Sequence, residues 1–98
     1  MLFDRKGGAP ELDARARRHR DRMAGLWAAE LLGLIGHAAQ DYARDVAHAH
    51  ENTPDDERVI GRLTRDLHGK VTAHEIREKL AHFLAEARRQ LLSERRDR

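Results

Sequence analysis

Apolar side chains recur at every third or fourth position along four stretches of the sequence, and that period restricts the chain to helices that each bury one face. The first stretch carries Leu12, Ala16, Met23, Leu26, Trp27, Leu31 and Leu34. Pro10 suits a first helical position, because its missing N–H would have no partner there and its φ is preset. A helix over Pro10–Leu32 is predicted, with Gly33 and Gly36 bracketing its end. Its opposite face holds Arg15, Arg18, Asp21 and Arg22, which should meet water or a partner.

The second stretch, Gly36–Glu51, presents Ala38, Ala39, Tyr42, Ala43, Val46 and Ala49, a narrow face of mostly small residues that lets a neighbouring helix come close. The third, Pro54–His68, opens on Thr53-Pro54-Asp55-Asp56-Glu57. There a threonine cap, a proline and three acids near the positive end of the dipole agree. Val59, Ile60, Leu63 and Leu67 form its core face, and Gly69 stops it. The fourth, Ala73–Glu94, begins with a capping box, Thr72-Ala73-His74-Glu75, inside a hydrophobic staple of Val71 and Ile76. Its stripe is Ile76, Leu80, Phe83, Leu84, Ala87 and Leu91, and the charged tail after it has nothing to bury and should fray.

No helix hides its face alone, so the predicted fold is all-α, a compact four-helix bundle whose long first helix projects at its N-terminal end. Trp27, Leu31, Tyr42, Leu63, Leu80 and Leu84 are the expected core. At 98 residues, 40% of them hydrophobic, the chain has enough for one core and not for two. Residues 1–9 are expected to be a disordered N-terminal segment and residues 10–98 the bundle. The sequence has no apolar run long enough to span a bilayer and no apolar centre of a signal peptide, so a soluble, cytoplasmic protein is expected.

Groups that do chemistry are sparse. With no cysteine, disulfides, thiol nucleophiles and thiolate metal sites drop out. His48 and His50 are two apart and splay around a helix, while His74 and His82 are eight apart with no acid between them in a ligand pattern. The HEIRE sequence at His74 stops short of a zinc-binding HExxH, so the histidines are expected at the surface. Asp55, Asp56 and Glu57 are accounted for by the helix dipole rather than acid–base work. There is no phosphate-cradling P-loop, GxGxxG or GxSxG, so neither catalytic residues nor metal ligands are assigned and an enzyme is disfavoured.

One polar feature stands out. The run from Ala14 to Arg22 places Arg15, Arg18 and Arg22 on one helix face with Arg17 and Arg20 on its flanks. Such a face could dock on phosphates or an acidic protein groove, or be a solvated helix face. A net charge of +2, from 19 basic and 17 acidic residues, is too balanced to make nucleic-acid binding the default. Trp27 shares the stripe of Met23, Leu31 and Leu34 and reads as packing rather than ligand stacking.

Gly25-Leu26-Trp27-Ala28-Ala29, Gly33-Leu34, Gly36, Ala38-Ala39 and Tyr42-Ala43 resemble the signature of the zeta subunit family, inhibitors of the alphaproteobacterial F-type ATP synthase. His74-Glu75-Ile76-Arg77 with Lys79, and Leu84-Ala85-Glu86-Ala87, are similar to that family's last helix. The resemblance implies a four-helix bundle without catalytic activity, peripheral on the membrane-bound synthase. It also implies an N-terminal segment that enters the catalytic αβ/γ interface and blocks ATP hydrolysis. No cofactor is implied, although weak adenine nucleotide binding is credited to some members.

Phe3-Asp4-Arg5-Lys6 is similar to the start of the inhibitory arm, but Gly7-Gly8-Ala9-Pro10 stands where its helix-forming part would be. Each glycine costs about 1 kcal/mol and a proline about 3 kcal/mol in a helix interior, so weak inhibition is expected. The residues assigned to partner binding are Phe3, Asp4, Arg5, Leu12, Arg15, Arg18 and Arg22; those assigned to the family core are Gly25, Leu26, Trp27, Gly33, Gly36 and Tyr42. The alternative is a paralogue of the bundle that binds another partner, such as nucleic acid, through the Arg15–Arg22 face.

Overall fold

The computed structural model describes residues 2–49 and 56–96, with side chains described over 12–49 and 56–94. Four helices follow one another: α1 (Leu2–Leu31), α2 (Gly36–His48), α3 (Glu57–Asp66) and α4 (Ala73–Arg96). At 1.5 Å per residue, the 30 residues of α1 span about 45 Å, which sets the longest dimension of the 49 × 26 × 21 Å molecule. α2 and α4 both pack along α1, and α3 packs on α4.

α1 begins at Leu2, upstream of the expected start at Pro10. A proline in a helix loses the bond to the carbonyl four residues before, here Lys6, but its φ lies in the helical range, so the backbone passes through it. The α1–α4 contacts run antiparallel, with Lys79 over Trp27 and Arg88 bonded to Asp13, so α1 carries its first turns past the end of α4. α1 ends in a Schellman motif. The Leu34 N–H donates to the Ala29 carbonyl at 2.9 Å, the Gly33 N–H donates to Glu30 at 3.1 Å, and Gly33 takes φ +79.

The other boundaries shift less. α2 stops at His48, before the expected Glu51, and α3 is helical from Glu57 to Asp66, short of His68. His50, Glu51, Thr53, Pro54 and Asp55 lie outside the described residues. α4 continues to Arg96 through part of the tail expected to fray. Its capping box forms as read: the Glu75 N–H donates to Thr72 Oγ1 at 3.1 Å, and the Thr72 N–H donates to Glu75 Oε1 at 2.8 Å.

Leu63 and Leu80 lie in the core, with Val46, Val59, Ile60, Leu67 and Ile76. Trp27 and Tyr42 are half-buried against that cluster, and Leu84 is half-buried against a second one of Ala16, Ala87 and Leu91. Leu31 corrects the expectation: it is 37% exposed. It sits in the last turn of α1, where Ala28, Ala29 and Leu32 take the covered positions. The buried line of α1 is made of small residues, Ala16, Ala24, Ala28 and Ala29, rather than the large stripe through Met23, Trp27 and Leu31.

Small residues let the helices meet closely, and Gly25 marks the tightest crossing. A Cβ there would lie 2.7 Å from Ala43 Cα and 3.2 Å from Ala43 Cβ, so α1 and α2 touch backbone to backbone. Gly25→Ala gains about 1 kcal/mol of helix propensity but forces the helices apart, at a cost of about 1–3 kcal/mol. The expected net result is a lower urea midpoint at unchanged m-value, and a raised midpoint would show that the crossing is loose.

Candidate partner-binding surface

The basic run of α1 divides between water and the interior. Arg15, Arg18 and Arg22 are exposed, as expected, while Arg20 and Asp21 are each only 3% exposed. This corrects the placing of Asp21 on the solvent face and of Arg20 on its flank. Both follow from helical geometry: Arg20 lies four residues after Ala16 and four before Ala24, on the buried alanine line. Arg20 Nε donates to Asp21 Oδ1 at 2.9 Å, and its two terminal nitrogens donate to Asp56 at 3.2 and 3.0 Å. Burial opposes the charge on Arg20, but the hydrogen bond to Asp56 and the charge of Asp21 outweigh it, so the guanidinium is held above its ordinary pKa.

Asp56 thus has a use beyond the dipole role read from the sequence. It precedes the first turn of α3 yet makes no side-chain cap bond there. Its carboxylate instead ties the start of α3 to the middle of α1. Glu57 beside it accepts from Arg77 of α4 at 3.2 Å. The sequence held one signal for this cluster, an arginine in register with buried alanines.

Tyr42, assigned to the family core, anchors a second polar cluster. Its hydroxyl donates to Asp66 Oδ2 at 2.7 Å, and the Arg62 guanidinium lies 5.1 Å from the centre of its ring. Arg62 also reaches Asp66 at 3.3 Å and Asp45 at 3.0 Å, so α2 and α3 are laced together. Burial alone would push Asp66 up, but hydrogen bonds from Tyr42, Arg62 and Arg65 hold its carboxyl below the ordinary value. Burial, then the bond to Asp66, pushes the Tyr42 hydroxyl well up.

A carboxylate whose folded pKa lies below its unfolded one stabilises fully above the unfolded value, about pH 4, and less as pH falls through the folded value. The urea midpoint should therefore decline as pH falls below about 4. Tyr42→Phe should lower the unfolding free energy at pH 7 by about 1–2 kcal/mol and shrink the decline of the midpoint with acid. Equal acid sensitivity in both proteins would show that Tyr42 does not tune Asp66.

The remaining family-core residues hold the α1–α2 hairpin. Gly33 and Gly36 adopt φ +79 and +60, Gly25 sits at the helix crossing, and Leu26 is half-buried. Trp27 lies beneath Lys79, whose Nζ is 5.7 Å from its ring centre. Of the residues assigned to partner binding, Phe3, Asp4 and Arg5 fall in the first turns of α1, and their side chains lie outside the described residues. Leu12 packs on the cluster of Ala16, Ala87 and Leu91.

Arg15, Arg18 and Arg22 form one wall of an open groove of ≈ 320 Å³. His19 joins that wall, Arg44, Ala47 and His48 of α2 face it, and Leu91 of α4 closes the floor. Arg22 donates to Gln40 at 2.6 Å, Arg44 to Asp41 at 3.4 Å, and His19 is paired with Gln90 at 2.7 Å. No local pattern joins Arg44 and His48 to the arginines; the packing of α2 on α1 brings them there. His48, His74 and His82 are exposed. Among the described residues, no group of three histidines or acids converges to hold a metal ion, and no helix is long and apolar enough to cross a membrane.

The family model described as ATPase inhibitor subunit zeta matches residues 8–90. Neither the curated proteins nor the solved structures give a match. The matched span leaves out Phe3 to Lys6 and takes in the hairpin glycines, Trp27, Tyr42, the Arg20 cluster and the capping box of α4. With a match over so much of its length, the chain belongs to the ATPase inhibitor subunit zeta family.

Proposed function

We propose that this chain is a regulatory protein that binds the catalytic αβ/γ head of an F-type ATP synthase and restrains ATP hydrolysis only weakly. The family match over residues 8–90 carries the reading. The arm is residues 1–9 and the bundle residues 10–98. The bundle holds on to the enzyme, and the leading turns of α1, which extend past α4, enter the catalytic interface. Phe3, Asp4 and Arg5 make contact at the tip, and Leu12, Arg15, Arg18 and Arg22 make contact along the shaft.

Inhibition of this kind is steric: a rigid element wedged between subunits that must move against each other stops the cycle without any chemistry of its own. The protein works peripherally on the membrane-bound synthase, in the aqueous phase, and needs no cofactor. Weakness follows from Gly7, Gly8 and Pro10, which lie between the tip and the shaft. Together they lower the intrinsic helicity of the arm by about 5 kcal/mol relative to alanine, so keeping its helix intact in the interface consumes binding energy.

The test is ATP hydrolysis by purified synthase, titrated with the wild-type chain and with a graft in which a full-length family arm replaces residues 1–10. The graft should inhibit at a concentration at least about tenfold lower, with the thermal midpoint of the bundle unchanged. Strong inhibition by the wild type would contradict the weak arm. Absence of binding by both proteins, with salt-sensitive binding to DNA or RNA, would favour a nucleic-acid partner for the Arg15–Arg22 face.

A further inference from the structure

We infer that the groove between α1 and α2 is a docking site for an acidic protein segment, in which Arg44 and the apolar Ala47 of α2, with Leu91 on the floor, complete the surface that the α1 arginines begin. The inference rests on the reading that the chain works by binding a protein, and it names the chemistry of one contact.

Arg15, Arg18 and Arg22 follow one another at steps of three and four residues, so they line about 10 Å of one helix face. Arg44 approaches from the opposite wall, which makes the groove cationic on two sides. These charges are weakly committed. Arg15 and Arg18 form no ion pair with the described residues, and Arg22 bonds a neutral amide of Gln40. Arg44 reaches Asp41 at 3.4 Å with the two side chains 60% and 67% exposed, a pair that an incoming carboxylate displaces at little cost. Guanidinium groups bind carboxylates in a two-pronged fork, so four of them along a groove favour a ligand with several carboxylates at fixed spacing.

The floor decides between kinds of polyanion. A nucleic acid is best held by a continuous cationic track that follows its phosphates. Here the cations flank Ala47 and the exposed edge of the buried Leu91, which offer contact to an aliphatic side chain and nothing to a phosphate. Carboxylates on either side of one apolar residue, within about 10 Å, match that arrangement, and an acidic helix supplies it with glutamates four apart. The near balance of 19 basic and 17 acidic residues over the chain also leaves no general excess of charge to hold a long polyanion.

The experiment is fluorescence anisotropy on the full chain with a labelled helical peptide of about 18 residues, long enough to be helical, carrying glutamates four apart around a leucine. A peptide with glutamine for each glutamate and a labelled oligo-dT serve as comparison probes. The glutamate peptide should bind best. Arg44→Glu should weaken it about tenfold, Arg18→Glu by a similar factor, and the exposed Arg58→Glu on α3 should leave it unchanged. Arg44→Gln provides a milder variant should the reversal disturb folding, and thermal midpoints check both.

No binding of the glutamate peptide, undiminished binding by folded Arg44→Glu and Arg44→Gln, or tighter binding of oligo-dT would each overturn the inference. The same variants assayed on purified ATP synthase head separate this inference from the proposed function. If the wild type ignores the head yet holds the peptide, the groove stands and the proposed function falls. If Arg44→Glu holds both the head and the glutamate peptide as tightly as the wild type does, the groove falls and the proposed function stands.

Discussion

Truncating Arg20 to alanine should lower the unfolding free energy by about 3–5 kcal/mol, a large part of the 5–15 kcal/mol that holds a domain together. The cost does not come from the Asp56 bonds alone, because the Asp56 side chain is 46% exposed and water replaces much of what it loses. It comes chiefly from Asp21, whose side chain is 4% exposed and would keep its charge inside the bundle while losing the guanidinium 2.8 Å away. Arg20→Lys should restore only part of the loss, since an ammonium cannot serve Asp21 and both oxygens of Asp56 in one plane. Adding Asp21→Asn to Arg20→Ala should recover stability relative to the single variant, as the buried charge is then gone. Urea unfolding of the four proteins measures these differences, and a loss below about 1 kcal/mol for Arg20→Ala would mean that water reaches the cluster.

Leu63→Ala should cost about 2–5 kcal/mol through lost burial and the cavity left behind. Leu63 is fully buried in a cluster to which all four helices contribute, with Ala24 and Ala28 of α1, Val46 of α2, Ile60 of α3 and Ile76 and Leu80 of α4. The alanines of α1 are themselves too short to reach into the space. Leu92→Ala, at a position 47% exposed on α4, should change stability by less than about 0.5 kcal/mol and serves as the control. Equal losses at the two positions would contradict this assignment of the core.

The sequence made α3 and α4 legible because their apolar residues are large and keep a clean period: Val59, Ile60, Leu63 and Leu67 are all buried, as are Ile76, Leu80, Ala87 and Leu91. The capping box and the hairpin glycines were equally readable, since each depends only on neighbours in sequence. α1 departs from its apolar pattern on the buried side. Its large residues suggested a stripe through Trp27 and Leu31, whereas close approach to α2 and α4 puts alanines inside and leaves Leu31 exposed at the end of the bundle.

That preference also explains Arg20, since a long charged side chain on a line of alanines can be buried only if acids from elsewhere meet it. Asp56 meets it from 36 residues away, a pairing no local pattern reveals. The candidate binding surface was half legible for the same reason. Arg15, Arg18 and Arg22 share a helix face and could be picked out together, while Arg44, Ala47, His48 and Leu91 reach the groove only through packing.

The central claim is that this bundle holds an F-type ATP synthase through its first helix. The most direct measurement is affinity capture with the tagged full chain from native membranes of the organism that encodes it, read by mass spectrometry. Wild type is expected to recover the α, β and γ subunits together. A variant with Arg15, Arg18 and Arg22 neutralised should recover several-fold less, and the difference should narrow as salt screens the exposed charges over about 8 Å or less. Recovery of no synthase subunit by the wild type, from membranes in which the synthase is abundant and active, would contradict the account.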